Sequence, residues 1–501
     1  MNFPILLQEN MINELKQLSS IVRGKRIEYP CALDRSDKLL ELYEAIVADK
    51  FQTDKDGAEF FYQDRRYASK YFYQLEKRLF NHLSESILFI RPDERSGEYR
   101  KALTDCYKKY AVFEILKKQW NREAANTIGK QLLRKAIKYH LTKIVVTVST
   151  SLKYTAAMKS DRTNYKKYDK IANIYREIRD AEEAAEDMFT EMAIQVSASK
   201  SVNKKLIEEI EGFSRELKCL TSKYNSYWLN LVSSNVVIYN HKINNRYQEI
   251  VQESQRALSF FRSLPFNAPA GSIFSFTYHL FTAHLKLGDF VKANQACDEA
   301  MSVTKEGSLN WVILQYYLLI SAFHSQDFDL AVSTLVKVKP FVEKHKAFRE
   351  KILILEAYLQ FFGRIGRCSL PPSDKRFRLA KFLNEVPHFS KDKRGMNINI
   401  LLIQVLFRLQ RREFGKLIDS MESLQAYRYR HLRRDDTFRS NCFIHMIIQL
   451  EKGNFKRVAV ERHAKKYWEK LQLVSFEKST QDLEVEPVRY EFLWECVLEI
   501  L

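Results

Sequence analysis

One turn phrase recurs along the second half of the chain, and its spacing constrains the fold more than any single residue. Leu287-Gly288-Asp289-Phe290-Val291-Lys292-Ala293 returns as Gln326-Asp327-Phe328-Asp329-Leu330-Ala331, and again as Lys375-Arg376-Phe377-Arg378-Leu379-Ala380. Arg412-Glu413-Phe414-Gly415-Lys416-Leu417 and Gly453-Asn454-Phe455-Lys456-Arg457-Val458 follow, and a shorter form stands at Asn245-Arg246-Tyr247-Gln248. The aromatics at 247, 290, 328, 377, 414 and 455 are 37 to 49 residues apart. A period of this size belongs to arrays of stacked helical hairpins.

The phrase also has a mechanical meaning. Gly288 and Gly453 sit where a helix should end, and glycine takes the left-handed conformation there without a Cβ clash. Asp289, Asp327 and Asn454 then stand where an N-cap would accept bonds from the next helix. The aromatic drops between the two helices, and the small Ala293 and Ala331 let them approach closely. Periodicity predicts first helices near 222–241, 273–287, 309–324, 345–363, 397–410 and 436–451. Second helices are predicted near 246–263, 289–302, 327–338, 374–385, 412–424 and 454–471. Pro265, Pro269, Gly307, Pro340, Pro387 and Gly395 fall between pairs, and Ser272, Ser308 and Asp435 are expected to cap the next pair.

With Gly288, Phe290, Ala293, Cys297 and Ala300 in register, this stretch resembles the tetratricopeptide repeat family in a degenerate form, over residues 222–471. The resemblance implies a right-handed solenoid of antiparallel helix hairpins. It also implies a face that binds peptide segments of other proteins.

Composition agrees with an all-α chain. Only 13 Gly and 10 Pro occur in 501 residues, too few turn formers for a β-sandwich or a Gly-rich α/β enzyme. The expected organisation is an N-terminal helical region at 1–96, a middle helical region at 97–221 with degenerate repeats, the repeats at 222–471, and a linker with a capping helix at 472–501. In the first half, helices are expected near 5–21, 36–49, 58–88, 97–120, 122–157, 165–194 and 201–219. The aromatic run from Phe60 through Tyr67, Tyr71 and Phe72 to Phe80 is expected to pack against neighbouring helices.

The formal charge is +19, and it is unevenly placed. Residues 337–470 carry 31 Lys and Arg against 14 Asp and Glu. Arg376, Arg378, Arg408, Arg411, Arg412, Arg428, Arg430, Arg433, Arg434, Lys456 and Arg457 are the candidate binding surface. Such a surface suits an acidic protein or peptide, or the phosphates of a nucleic acid. The stretch from Asp482 to Glu499 is acidic, with six carboxylates against Arg489. It is expected to fold back and partly neutralise the basic region, so truncation after Thr480 should increase polyanion binding.

No catalytic, cofactor-binding or metal-binding set is found. P-loop, dinucleotide, nucleophile-elbow and HExxH patterns are all absent from the sequence. Seven scattered Cys form no CxxC pair, which suits a reducing compartment and no zinc ribbon. Met1 to Ser20 lacks a basic stretch ahead of a sustained apolar core, and Trp311 to Phe323 is too short to span a bilayer. The expected protein is a cytoplasmic, non-catalytic scaffold or adaptor that binds a partner peptide or acidic protein surface through a helical-repeat groove. The competing reading is a nucleic-acid-binding regulator that uses the basic surface of 337–470.

Overall fold

The computed structural model describes residues 11–23, 37–62, 67–90, 97–198, 204–370, 377–386, 396–432, 437–479 and 483–501. Those residues form helices and connecting turns, with no β-strand among them. The chain divides into two compact units, Met1–Ala172 and Asn173–Leu501.

In the first unit, α1 (Met11–Val22), α2 (Asp37–Val47), α3 (Asp54–Phe61) and α4 (Ala68–Ile87) bury one cluster around Ile12, Leu15, Leu39, Leu42, Phe72 and Leu79. The Asp54 carboxylate accepts from the Met11 and Ile12 amides, at 3.3 and 3.4 Å, and ties two helix starts together. The expected helix at 58–88 is thus two helices. Phe72 is buried and Phe61 and Phe80 are half-buried, but Phe60, Tyr67 and Tyr71 face solvent. The aromatic run therefore packs on one side only.

Next come α5 (Glu98–Lys118), α6 (Arg122–Lys138), α7 (Thr142–Met158) and α8 (Arg162–Ala198); the boundary between the units falls inside α8. The expected helix at 122–157 is broken at His140, where φ is 53°. Leu141 N–H reaches back to the Ala136 carbonyl (2.8 Å) and His140 N–H to Ile137 (3.2 Å), which closes a Schellman turn without glycine. Trp120 and Ser160 are left-handed too, at φ 60° and 53°, so three such turns recur every 20 residues.

The second unit continues with α9 (Lys204–Lys223), α10 (Tyr227–Ile243), α11 (Tyr247–Arg262), α12 (Ala270–Lys286), α13 (Phe290–Ser302), α14 (Leu309–Ser325) and α15 (Phe328–Val342). It ends with α16 (Lys346–Arg364), α17 (Leu379–Glu385), α18 (Met396–Gln410), α19 (Phe414–His431), α20 (Phe438–Lys452), α21 (Arg457–Leu473) and α22 (Tyr490–Ile500). Successive helices pack on one another from α9 to α21, and the even-numbered α12, α14, α16 and α18 also touch in sequence. Neighbours on several sides explain why α14 and α18 are apolar nearly all round.

The recurring phrase marks these turns, with corrections. Gly288 is left-handed (φ 75°), and Asp289 and Asp327 cap their helices by accepting from Lys292 and Leu330 amides. Ala293 and Ala331 are fully buried, and Phe290 and Phe328 are half-buried. Asn245, Gln326 and Arg412 take the left-handed place two residues before Tyr247, Phe328 and Phe414. At Gly453 the expectation fails: its φ is −85°, and Asn454 (49°) and Phe455 (55°) are left-handed instead. Asn454 is therefore no N-cap; Lys456 holds that place. Gly453 is required for space, since a Cβ there would meet the Val460 backbone nitrogen at 2.8 Å.

Phe377 is also displaced. The left-handed residue after α16 is Gly366 (φ 79°), eleven positions upstream, and Phe377 stacks on Phe407 with centroids 4.9 Å apart. Ser308 caps α14 as expected. Ser272 lies inside α12 and meets the Tyr227 hydroxyl at 2.8 Å, so it is no cap. Asp435 lies outside the described residues.

Candidate functional site

The candidate basic residues do not form one patch. Arg376, Arg433 and Arg434 lie outside the described residues. Arg378, Arg411, Arg412, Arg430, Lys456 and Arg457 are exposed. Arg411 and Arg412 occupy the turn before α19, and Lys456 and Arg457 the turn before α21. Phe414 and Phe455 join these turns, with ring centroids 4.5 Å apart. Arg430 stands at the far end of α19, roughly 24 Å along the axis at 1.5 Å per residue. Arg408 is half-buried and tied to the Lys416 carbonyl (2.5 Å) and the Ser420 hydroxyl. Half-buried Arg428 contacts the His445 ring, whose pKa falls to about 4 through burial and the Arg428 charge.

A second assembly, absent from that candidate set, lies on the face shared by α12, α14, α16, α18 and α20. Each helix contributes one polar side chain: Lys286, His324, Lys351, Asn399 and Arg439. All five hold residues of the chain's own returning segments, 476–479 and 483–491. Lys286 Nζ donates to the Phe476 carbonyl at 2.9 Å and lies 3.6 Å from the Phe476 ring centre. His324 Nε2 donates to the Glu486 carbonyl at 2.9 Å, which fixes that nitrogen as the protonated one. Lys351 holds both Glu484 carboxylate oxygens, at 2.8 and 2.9 Å. The Tyr358 hydroxyl donates to Asn399 Oδ1 at 2.8 Å, which turns the Asn399 amide nitrogen toward the Glu484 and Val485 carbonyls at 3.2 and 3.3 Å.

Arg439 is the centre of this arrangement. Its Nε and Nη2 grip the two Glu486 oxygens at 2.9 and 2.7 Å, Nη2 also reaches Glu491, and Nη1 donates to the Val474 carbonyl at 2.6 Å. Both Arg439 and Glu486 are 0% exposed. Glu486 accepts further from the Tyr490 amide at 3.0 Å, at the start of α22. Burial raises the Glu486 carboxyl pKa, and the paired guanidinium counters it. An arginine fork fits this duty because its donors match a carboxylate bidentately.

The segment expected to cap one end of the array therefore lies across it. α22 packs on α18 and α20, Phe492 sits 5.4 Å from Phe362 and 5.9 Å from Phe328, and Arg367 pairs with Glu499. Three cations of the basic region, Lys351, Arg367 and Arg439, meet acids of the returning segment. A partial sequence signal for this existed: His324 and Asn399 lie in α14 and α18, which are otherwise apolar on nearly every side. A buried polar group needs a partner, and the acidic stretch at 482–499 was the available one.

Other chemistry is sparse. Among the described residues, no group of three or more His, Cys, Asp or Glu side chains is placed to hold a metal ion. No described helix is long and apolar enough to cross a membrane. An open depression of about 550 Å³ lies between α21 and α22, lined by Val458, Trp468, Trp494 and Leu498 and edged by Arg462 and Lys465. Comparisons with protein-family models, curated proteins and solved structures find no match for this chain.

Proposed function

We propose that the protein is a non-catalytic protein–protein interaction scaffold. In this reading it is a right-handed solenoid of helix hairpins, related to tetratricopeptide repeats, that holds acidic polypeptide segments along its first helices. The supporting observation is that five successive first helices each aim a polar side chain at the returning acidic segment, Lys286 at Phe476 and the other four at residues 484–486. Carbonyl oxygens and carboxylates are what those side chains grip, and both are general features of an acidic peptide. The exposed basic turns carrying Arg411, Arg412, Lys456 and Arg457 lengthen the same preference on the outside of the array.

Affinity capture with the full chain, from the cells that make it, tests this. A discrete protein partner should survive nuclease treatment, and the fourfold change R411E/R412E/K456E/R457E should weaken its capture severalfold. Recovery dominated by nucleic acid, lost with nuclease or with rising salt, would instead favour the phosphate-binding reading.

A further inference from the structure

We infer that residues 483–493 are an internal ligand of the face formed by α14, α16, α18 and α20, and that this face accepts a partner segment of the same chemistry in exchange. The inference rests on the scaffold reading and names the ligand class and its regulation. That ligand is a non-helical acidic segment, Glu-x-Glu followed four residues later by an aromatic. In this chain those positions are Glu484, Glu486 and Tyr490.

The geometry supports a ligand rather than one more packed helix. Between Leu483 and Arg489 the chain forms no helix or strand of its own. Its polar contacts in that stretch go mainly to side chains of other helices. Asn399 and His324 read the carbonyls of Glu484, Val485 and Glu486. Any sequence offers those carbonyls. Specificity then falls to three positions. Glu484 meets Lys351 and the Tyr317 hydroxyl (3.2 Å). Glu486 meets Arg439. The Tyr490 ring stacks on Phe443 with centroids 4.5 Å apart, and its hydroxyl meets that of Ser440 at 2.9 Å. This is the division of labour of a peptide groove: backbone contacts give affinity and spaced side-chain pockets give selectivity.

Tethering sets the strength of self-occupancy. A segment on the same chain acts at an effective concentration in the millimolar range for a short connection. A free partner must therefore match its contacts and outcompete that concentration, so the uncut chain binds such partners weakly until the segment is released.

The test uses the full chain with a protease site replacing residues 480–482. After cleavage, residues 483–501 are held by non-covalent contacts alone. A fluorescein-labelled synthetic peptide of residues 483–501 is added, and binding is read by anisotropy beside helix content by circular dichroism. The cut protein should keep its helix signal and take up one labelled peptide, with the uncut protein binding it at least tenfold more weakly. A peptide with Glu486→Gln should bind at least 30-fold more weakly, since it leaves a buried guanidinium without its carboxylate. A peptide with Glu495→Gln, at an exposed position, should bind within twofold of the parent. The inference is overturned if the cut protein loses its helix signal as the fragment departs. It is equally overturned if the labelled peptide has not entered after a day at 37 °C, or if the Glu486→Gln peptide binds as well as the parent. Each of these makes the segment part of the core. None of them bears on the exposed basic turns, whose part in the scaffold reading the capture assay tests separately on the uncut chain.

Discussion

Arg439 and Glu486 are each worth little without the other. A guanidinium with no exposed surface, left opposite an amide, retains the cost of its desolvation and loses its compensation. Glu486→Gln in the full chain should therefore lower stability by about 3–5 kcal/mol in urea unfolding. Arg439→Met combined with Glu486→Gln should cost clearly less than the sum of the two single changes. Additive losses would show that the pair is not coupled. His324 provides the pH counterpart. Burial pushes its pKa down to about 3, and its Nδ1 has no hydrogen-bond partner. The folded state thus keeps this ring neutral, whereas the unfolded chain protonates it near the ordinary value of about 6.5. Its contribution is complete above that value and is lost as pH falls toward 3. The loss amounts to about 2 kcal/mol by pH 5. His324→Gln, which keeps an N–H donor, should flatten the fall in melting temperature between pH 7 and 5. An unchanged slope would place the sensitivity elsewhere.

At the scale of elements, the left-handed turn residue decides how consecutive helices meet. Glycine holds it at 288 and 366, but Trp120, His140, Ser160, Asn245, Gln326 and Arg412 hold the same conformation with a side chain. Such residues cost about 1–2 kcal/mol in that conformation. Gln326→Gly should consequently raise stability by about 0.5–1 kcal/mol, and Gly288→Ala should lower it by about 1 kcal/mol. Thermal unfolding of both variants checks the pair, and equal signs would refute the account. Gly453→Ala should destabilise for a different reason, the approach of the Val460 backbone. The same chemistry explains what could be read in advance. The helix breaks near 246, 288 and 327 were legible because Gly288, Asp289, Asp327 and the spaced aromatics mark them. The break at 140, inside the expected helix at 122–157, was not, because no glycine or proline betrays it, whereas breaks near 121 and 160 were expected.

On the scale of the whole molecule, charge and sequence distance matter most. The region 337–470 carries a net +17, and most of its described lysines and arginines are exposed. Exposed like charges repel and are screened by salt, whereas the Arg439 pair is not. Raising sodium chloride from 50 to 300 mM should increase the melting temperature by about 2 °C, corresponding to ~1 kcal/mol; a decrease would mean that attractive surface pairs dominate. The basic excess was legible from composition alone. Its division into separate clusters was not, because it depends on which helix end each arginine occupies. Nor were the five donors legible as a set, since Lys286 meets its partner 190 positions along the chain.

That separation also imposes an order on synthesis. Helices α12 to α20 leave the ribosome before residues 476–491 exist, so each nascent molecule passes through a stage with Lys286, His324 and Arg439 still waiting for their counterparts. Until the returning segment arrives, its place on these helices is open. A chain interrupted before that point keeps Lys286, His324 and Arg439 without the carbonyls and carboxylates they hold in the finished molecule, at the cost of unpaired polar groups among apolar helices.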